Sequence, residues 1–239
     1  AAVLAGLAAG LAMSAVQYWR VIPLIIEAET FEGAVVPHGH AEGTADHTHE
    51  AAIPAHDHDE DAWAPQDGAE RTAYTVLANV LAGMGFALLL AAISVLSGIP
   101  LTAGNGALWG LGGFLAFQLA PAFGLPPELP GMAAADLGTR QLWWWGTALS
   151  TGAGLLAIAR LRNWTGIGIA AVLIALPHIV GAPAAPHEAT AVPAHLATQF
   201  AATSLATGAL FWLLVGPLSG WLNQRFAASS AFALKGSHA

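Results

Sequence analysis

The sequence predicts an all-α, polytopic membrane protein with about six transmembrane helices and one long external loop after the first helix. Of its 239 residues, 56% are hydrophobic and only 9% are charged, a balance typical of membrane proteins. Several uncharged stretches reach about 18 residues or more, which is the length a helix needs to cross roughly 30 Å of hydrocarbon. We therefore treat residues 1–239 as a single membrane domain.

Six hydrophobic segments follow one another along the chain: 1–26, 73–97, 103–121, 142–159, 164–181 and 198–222. The fifth is short and contains Pro177, so five full spans with one re-entrant piece remain an alternative. The first residues, AAVLAGLAAG, have neither a methionine nor a basic flank. We expect a short N-terminal piece to precede them.

Basic residues near the segment ends predict the orientation, because cytoplasmic loops retain Lys and Arg. With the N-terminus inside, four basic residues are cytoplasmic: Arg160, Arg162, Arg225 and Lys235. Arg71 and Arg140 are then external, and Arg20, near the outer end of the first segment, is an exception to the pattern. Both termini are predicted to be cytoplasmic, and residues 27–72 form an external loop inserted between the first two helices.

Glycines recur at four-residue spacing inside three of the segments: Gly6 with Gly10, Gly106 with Gly110, and Gly216 with Gly220. Such spacing lets helix backbones approach closely in lipid. Three consecutive tryptophans, Trp143 to Trp145, begin the fourth segment. We interpret them as part of an interfacial aromatic belt.

The external loop contains three H-x-H pairs that succeed one another every nine residues: His38 and His40, His47 and His49, His56 and His58. Aspartates and glutamates lie between and after them. The chain has no cysteine, so any metal must be held by imidazole and oxygen. This ligand set suits divalent cobalt, nickel or zinc, and copper is a further candidate. An inert acidic linker and a pH-responsive segment are the alternatives.

Three further residues are candidate metal ligands in or beside the spans, where burying an ionisable side chain is costly unless it is paired or hydrated, so its presence suggests a function. Glu27 and Glu29 close the first segment, at the mouth of the predicted bundle. His178 follows Pro177 near the outer end of the fifth segment, where the proline frees a backbone carbonyl. We predict that these side chains pass a metal ion inward from the loop.

The sequence also argues against several function classes. The seven Lys and Arg residues are scattered and the net charge is −8, so nucleic acid is not an expected partner. Nothing near the single lysine, Lys235, reads GxxxxGK[ST], so we expect no nucleotide site in this chain. HExxH and GxSxG motifs are absent, and we predict that the protein is not an enzyme.

Several long blocks resemble the CbtA family, predicted cobalt transporter subunits: "WAPQDGAERTAYTVLAN", "LAPAFGLPPELPG", "RQLWWWGTALST", "LPHIVGAP" and "ALFWLLVGPLSGW". The resemblance extends over about residues 4–225. The residues that match the family motifs are Glu27, Glu29, Glu70, Arg71, Glu128, Arg140, Gln141 and His178. The H-x-H pairs match only as a histidine-rich region.

The resemblance implies a multi-pass protein of the bacterial inner membrane that is linked to cobalamin synthesis. It also implies a small single-span partner, CbtB, with its own histidines. Our leading hypothesis is uptake of a divalent transition metal, cobalt for cobalamin synthesis, captured by the external loop. The second hypothesis is an accessory or metal-handling subunit of a larger membrane complex.

Overall fold

The computed structural model describes residues 1–31, 65–66, 68–186 and 190–236, with side chains as far as Ser229. All the secondary structure in this part of the chain is helical, as the sequence predicts. The helices are α1 (Ala2–Arg20), α2 (Ile22–Glu29), α3 (Ala69–Ser97), α4 (Gly106–Ala122), α5 (Leu137–Leu161), α6 (Trp164–Val180) and α7 (Ala194–Gly236).

Among the described residues, three helices are long and apolar enough to cross a membrane by length and composition: α1, α3 and residues Ala194–Ser229 of α7. Helices α4 and α6 are apolar but shorter; α6 has 17 residues, which is about 26 Å of helix. Large apolar side chains such as Leu96 and Trp164 are exposed on the outside of the bundle. An apolar exterior of this kind suits contact with lipid. The count of six spans stays a prediction.

The first hydrophobic segment is two helices rather than one. Helix α1 ends at Arg20 and α2 begins at Ile22, with Pro23 in its first turn. A proline lacks the N–H that would bond to the preceding turn, and its ring clashes with that turn's carbonyl. Proline at the start of a helix avoids both problems. Pro177, in contrast, lies in the last turn of α6 and does not divide that helix.

The connections between helices lie at two ends of the bundle. At one end a cluster of buried apolar side chains joins α2, the segment between α4 and α5, and the start of α7: Leu24, Ala28, Leu129, Val192, Leu196 and Phe200. We call this the loop end, because α2 finishes there. At the opposite end Asn223 Nδ2 of α7 lies 3.4 Å from the carbonyl oxygen of Leu101. Helix α7 therefore runs from the loop end to the opposite end.

Glycines allow close helix crossings at two places. Gly6 and Gly10 of α1 lie against the backbone of α3 at Gly83 and Asn79, and Gly106 of α4 lies against α7. A Cβ atom at Gly106 would come within 2.7 Å of Pro217 Cα. These crossings confirm that the glycine pairs predicted from spacing are close-approach sites. Gly220 likewise faces the backbone of Thr102.

A polar contact and an aromatic cluster fill the spaces between these crossings. Asn79 Nδ2 of α3 donates to Gln17 Oε1 at 2.6 Å and to Ser14 Oγ at 3.2 Å, both in α1. Trp212 of α7 is fully buried, and its ring packs edge-on against Phe86 and stacks on Phe117 at 5.8 Å. Together they join α1, α3, α4 and α7 into one packed core.

Candidate functional site

The first feature of the loop end is an ion pair between helices α2 and α3. The guanidinium of Arg71 donates to both carboxylate oxygens of Glu29, and the two residues are 42 positions apart in the chain. Glu29 closes α2 and Arg71 lies in the first turn of α3. Each side chain is about one-third exposed, 31% for Glu29 and 33% for Arg71. The pair therefore joins the two ends of the segment that contains the histidine motifs.

The six histidines of the H-x-H pairs lie outside the described residues, so their prediction as metal ligands stays a prediction. Glu27 is exposed on α2, where its backbone carbonyl accepts a hydrogen bond from Thr30 Oγ1 at 2.7 Å. In the described part of the chain, no three His, Asp or Glu side chains come together as a metal site. Glu27, Glu29 and His178 are thus not gathered into one cluster by these helices.

A second ion pair lies at the same end, between the α4–α5 segment and helix α5. Arg140 Nη2 is 2.9 Å from Glu128 Oε2, and their side chains are 31% and 19% exposed. Asp136 caps the N-terminus of helix α5, and its carboxylate accepts a hydrogen bond from the backbone N–H of Thr139 at 2.9 Å. This N-terminal cap fixes the start of the helix, and with it the position of Arg140.

The Glu128–Arg140 pair lies in the wall of an open cavity of about 360 Å³ between helices α4, α5 and α7 and the segment that joins α4 to α5. Other polar side chains in its wall are Gln118, Gln141 and Ser204, and Trp144 and Trp145 supply apolar surface. Two of the polar atoms, Gln118 Oε1 and Ser204 Oγ, are buried without a hydrogen-bond partner among the described residues. Unpaired buried oxygens are uncommon in folded proteins and call for an explanation.

Helix α4 is irregular where it borders this cavity. Residues Leu115–Leu119 form a π-helical turn, which contains Gln118. The Gln118 side chain lies directly against Gly208 of α7, in space that any Cβ atom at that position would occupy. Single π-turns inside α-helices occur frequently at functional sites. The π-turn and Gly208 together make room for the Gln118 side chain between α4 and α7.

His178 lies elsewhere, on the exposed part of the last turn of α6. Its ring packs edge-on against Trp143 at 5.8 Å and Phe123 at 6.3 Å, at a second cavity of about 620 Å³ lined mainly by apolar side chains. Trp143 Nε1 donates to the carbonyl oxygen of Pro177 at 3.1 Å. This hydrogen bond engages the carbonyl of Pro177 itself, whereas the carbonyl that Pro177 leaves without its usual donor is that of Leu173, one turn earlier.

Sequence reasoning named Glu128 and Arg140 without pairing them, and it missed Gln118 and Ser204. The available signal was an amide within a long uncharged helix, where a polar side chain is costly without a partner. The interpretation of Trp143 and Trp144 as an interfacial belt was incomplete. Trp143 packs between α5 and α6, and Trp144 packs beside Phe117 with ring centroids 6.1 Å apart.

Comparison with known proteins relates most of the chain to a described family. The sequence model of one family, described as "Probable cobalt transporter subunit (CbtA)", matches residues 1–224. The match includes the two ion pairs, the cavity, the segment with the H-x-H pairs and most of α7. No curated protein and no solved structure matches the chain.

Proposed function

Because the chain belongs to the CbtA family of probable cobalt transporter subunits, we propose that it takes up Co²⁺ across the bacterial inner membrane for cobalamin synthesis. The proposed orientation places both termini in the cytoplasm and the loop end outside. Arg160 and Arg162 then lie at the cytoplasmic end of the bundle, in agreement with the retention of basic residues there.

The proposed capture element is the segment with the six histidines His38, His40, His47, His49, His56 and His58. Neutral imidazoles mixed with carboxylates form a ligand set for divalent cobalt, and they also accept nickel, zinc or copper. The observation that carries this proposal is the Glu29–Arg71 pair, because it holds both ends of the segment at the loop end. A captured ion is then released beside Glu27 and Glu29, and His178 is proposed to receive it later.

The membrane potential is a sufficient driving force for this uptake. Moving a divalent ion inward gains about 4.6 kcal/mol per 100 mV, roughly a thousandfold concentration ratio. The proposed mechanism therefore requires no nucleotide hydrolysis by this chain.

The test is Co²⁺ accumulation in proteoliposomes that contain this chain alone, with an imposed inside-negative potential. We compare the wild type with a variant in which all six loop histidines are alanine. A matched control replaces His187 and His195, which lie in another external segment outside the H-x-H pairs. The expected result is a loss of uptake at low Co²⁺ concentration in the six-histidine variant only. Equal uptake by the variant and the control would exclude capture by the loop.

A second candidate function is a metal-handling subunit that works only with a partner. The family description, a transporter subunit, favours a partner of some kind. We propose a small single-span, histidine-containing protein of the CbtB type, or a larger membrane complex. Absence of uptake by this chain alone, restored when the partner is reconstituted with it, would support this function over autonomous transport.

A further inference from the structure

We propose that the open cavity beside Glu128 and Arg140 binds the headgroup of a zwitterionic membrane lipid, phosphatidylethanolamine. In this site the carboxylate of Glu128 accepts hydrogen bonds from the lipid ammonium, and the guanidinium of Arg140 donates to the lipid phosphate. The lipid site goes beyond the proposed metal uptake and does not depend on it. The ion pair, the apolar walls of the cavity and its opening beside α5 each favour this ligand.

The cavity is a gap between two helices that share a neighbour. Helices α5 and α7 each pack on α4 but not extensively on each other. Leu205 of α7 lies on one side of the gap, and Leu137 and Trp145 of α5 lie on the other. Leu137 and Trp145 are more than half exposed, as is Leu149 one turn further along α5. An exposed apolar surface that continues from a cavity suits a lipid acyl chain, and tryptophan is enriched at the level of lipid headgroups.

The ion pair retains the capacity to bind a ligand. The contact joins one carboxylate oxygen, Glu128 Oε2, to one guanidinium nitrogen, Arg140 Nη2, at 2.9 Å. Among the described residues, neither side chain has a further polar partner. A carboxylate has a second acceptor oxygen, and a guanidinium has several more N–H donors. Both side chains are partly exposed, so a ligand in the cavity can contact them while the pair stays intact.

Charge balance favours a zwitterion over an ion at this site. Glu128 and Arg140 together have no net charge, so a bound cation or anion would leave one charge uncompensated, at a cost that rises as water is excluded. A zwitterion leaves the site neutral, with its ammonium beside the carboxylate and its phosphate beside the guanidinium. The two charges of phosphatidylethanolamine are joined by a short ethylene group, so both fit within one cavity of about 360 Å³.

The carboxylate distinguishes between zwitterionic headgroups. The primary ammonium of phosphatidylethanolamine has N–H groups that donate charge-assisted hydrogen bonds to Glu128. The trimethylated ammonium of phosphatidylcholine has no N–H group to donate. Aromatic rings attract both kinds of cation, so Trp144 in the cavity wall adds affinity without selectivity. Glu128 therefore favours phosphatidylethanolamine.

The test measures which lipids stay bound to the full chain. The protein in detergent is equilibrated with an equal mixture of phosphatidylethanolamine, phosphatidylcholine and phosphatidylglycerol that have the same acyl chains, and native mass spectrometry counts the retained lipids. We expect the wild type to retain phosphatidylethanolamine about fivefold over either competitor, as one partly exposed charge interaction of ~1 kcal/mol implies. Equal retention of phosphatidylglycerol would indicate an anion site at Arg140 alone and would overturn the assignment. Retention of no lipid would also overturn it.

Substitutions of the two charged residues should change lipid selectivity in different ways. Glu128→Gln leaves Arg140 without its carboxylate, so this variant should lose the preference for phosphatidylethanolamine and retain phosphatidylglycerol about fivefold better than the wild type. Arg140→Gln leaves a carboxylate that repels phosphate, so it should retain less of both lipids. A misfolded protein would not exchange one headgroup preference for another, so the switch in Glu128→Gln reports the site itself.

Two further variants complete the test. Ala122→Leu reduces the space in the cavity and leaves both charges in place; retention of phosphatidylethanolamine should fall while the melting temperature is preserved. Asp136→Asn is the matched control, because it removes a carboxylate at the same end, outside the cavity wall, while Asn retains the helix cap. Glu128→Gln and Ala122→Leu variants that retain phosphatidylethanolamine as Asp136→Asn does would overturn the assignment. The assay counts bound lipid, so its result does not depend on whether the chain takes up Co²⁺.

Discussion

Glu29 and Arg71 form an ion pair that joins the end of α2 to the start of α3. The same carboxylate is a proposed metal ligand, so the arginine and a metal ion would compete for it. Arg71 therefore has two possible effects on uptake. As a structural clamp it would support uptake, whereas as a competitor it would restrain metal binding.

Single substitutions of the pair distinguish these effects. If Glu29 is a ligand, Glu29→Gln should lower the apparent affinity for Co²⁺ in the uptake assay, and Arg71→Gln should leave it unchanged or raise it. Each change should cost only about 0.2–1 kcal/mol of stability, because the pair is partly exposed and screened by solvent. Arg20→Gln controls for the loss of one basic charge near the same end. Equal losses of affinity in both single variants would show that the pair acts only as a clamp.

The glycine crossing between α4 and α7 predicts opposite effects for two neighbouring alanine substitutions. A Cβ at Gly110 would overlap the backbone of Trp212, whereas a Cβ at Gly112 meets only Leu155 Cδ1 at 3.9 Å. Gly110→Ala should therefore destabilise the protein by about 1–3 kcal/mol through overpacking. Gly112→Ala should stabilise it by about 0.5–1 kcal/mol, because alanine favours helix.

Thermal unfolding in detergent, followed by tryptophan fluorescence, measures both changes. Gly168→Ala of α6 is a second control, since nothing lies within 4 Å of a Cβ at that position. A decrease in melting temperature for all three variants would contradict a specific crossing at Gly110. It would indicate instead that these helices need glycine for flexibility.

The predictions from sequence were most accurate where the physical cause is local. Hydrophobic length and glycine spacing predicted the helical segments and their crossings, because both depend on residues within a few turns. The break at Val21 was missed, although Pro23 is its local cause. The pairing of Glu29 with Arg71, and the position of Gln118 against Gly208, depend on how distant helices pack. No pattern within a single segment contains that information.

Asn79 should contribute to the association of α1 with α3. Its amide donates to Gln17 and Ser14 across the crossing. Asn79→Ala should cost about 0.6–1.7 kcal/mol, the range found for hydrogen bonds between membrane helices. Thr198→Ala is the control, because the hydroxyl of Thr198 bonds only within α7, to the carbonyl of Ala194 at 2.9 Å. Steric trapping or denaturant unfolding in mixed micelles would measure the free energy of unfolding of both variants. Equal values for Asn79→Ala and Thr198→Ala would contradict a role of Asn79 in the association of α1 with α3.

His178 offers the sharpest distinction between a metal ligand and a packed ring. Its imidazole contacts the rings of Trp143 and Phe123. Phenylalanine at this position can keep these aromatic contacts but has no metal-binding nitrogen. If His178 receives Co²⁺, His178→Phe should preserve the melting temperature and lower uptake about tenfold, the effect of losing ~1.4 kcal/mol of binding.

The matched comparison for this prediction is His195→Phe, an exposed histidine near the start of α7. This variant also replaces a histidine near the loop end with phenylalanine. Trp143 and Phe123, which contact His178, are not its neighbours. Uptake by His178→Phe that equals uptake by His195→Phe would show that the ring at position 178 serves packing.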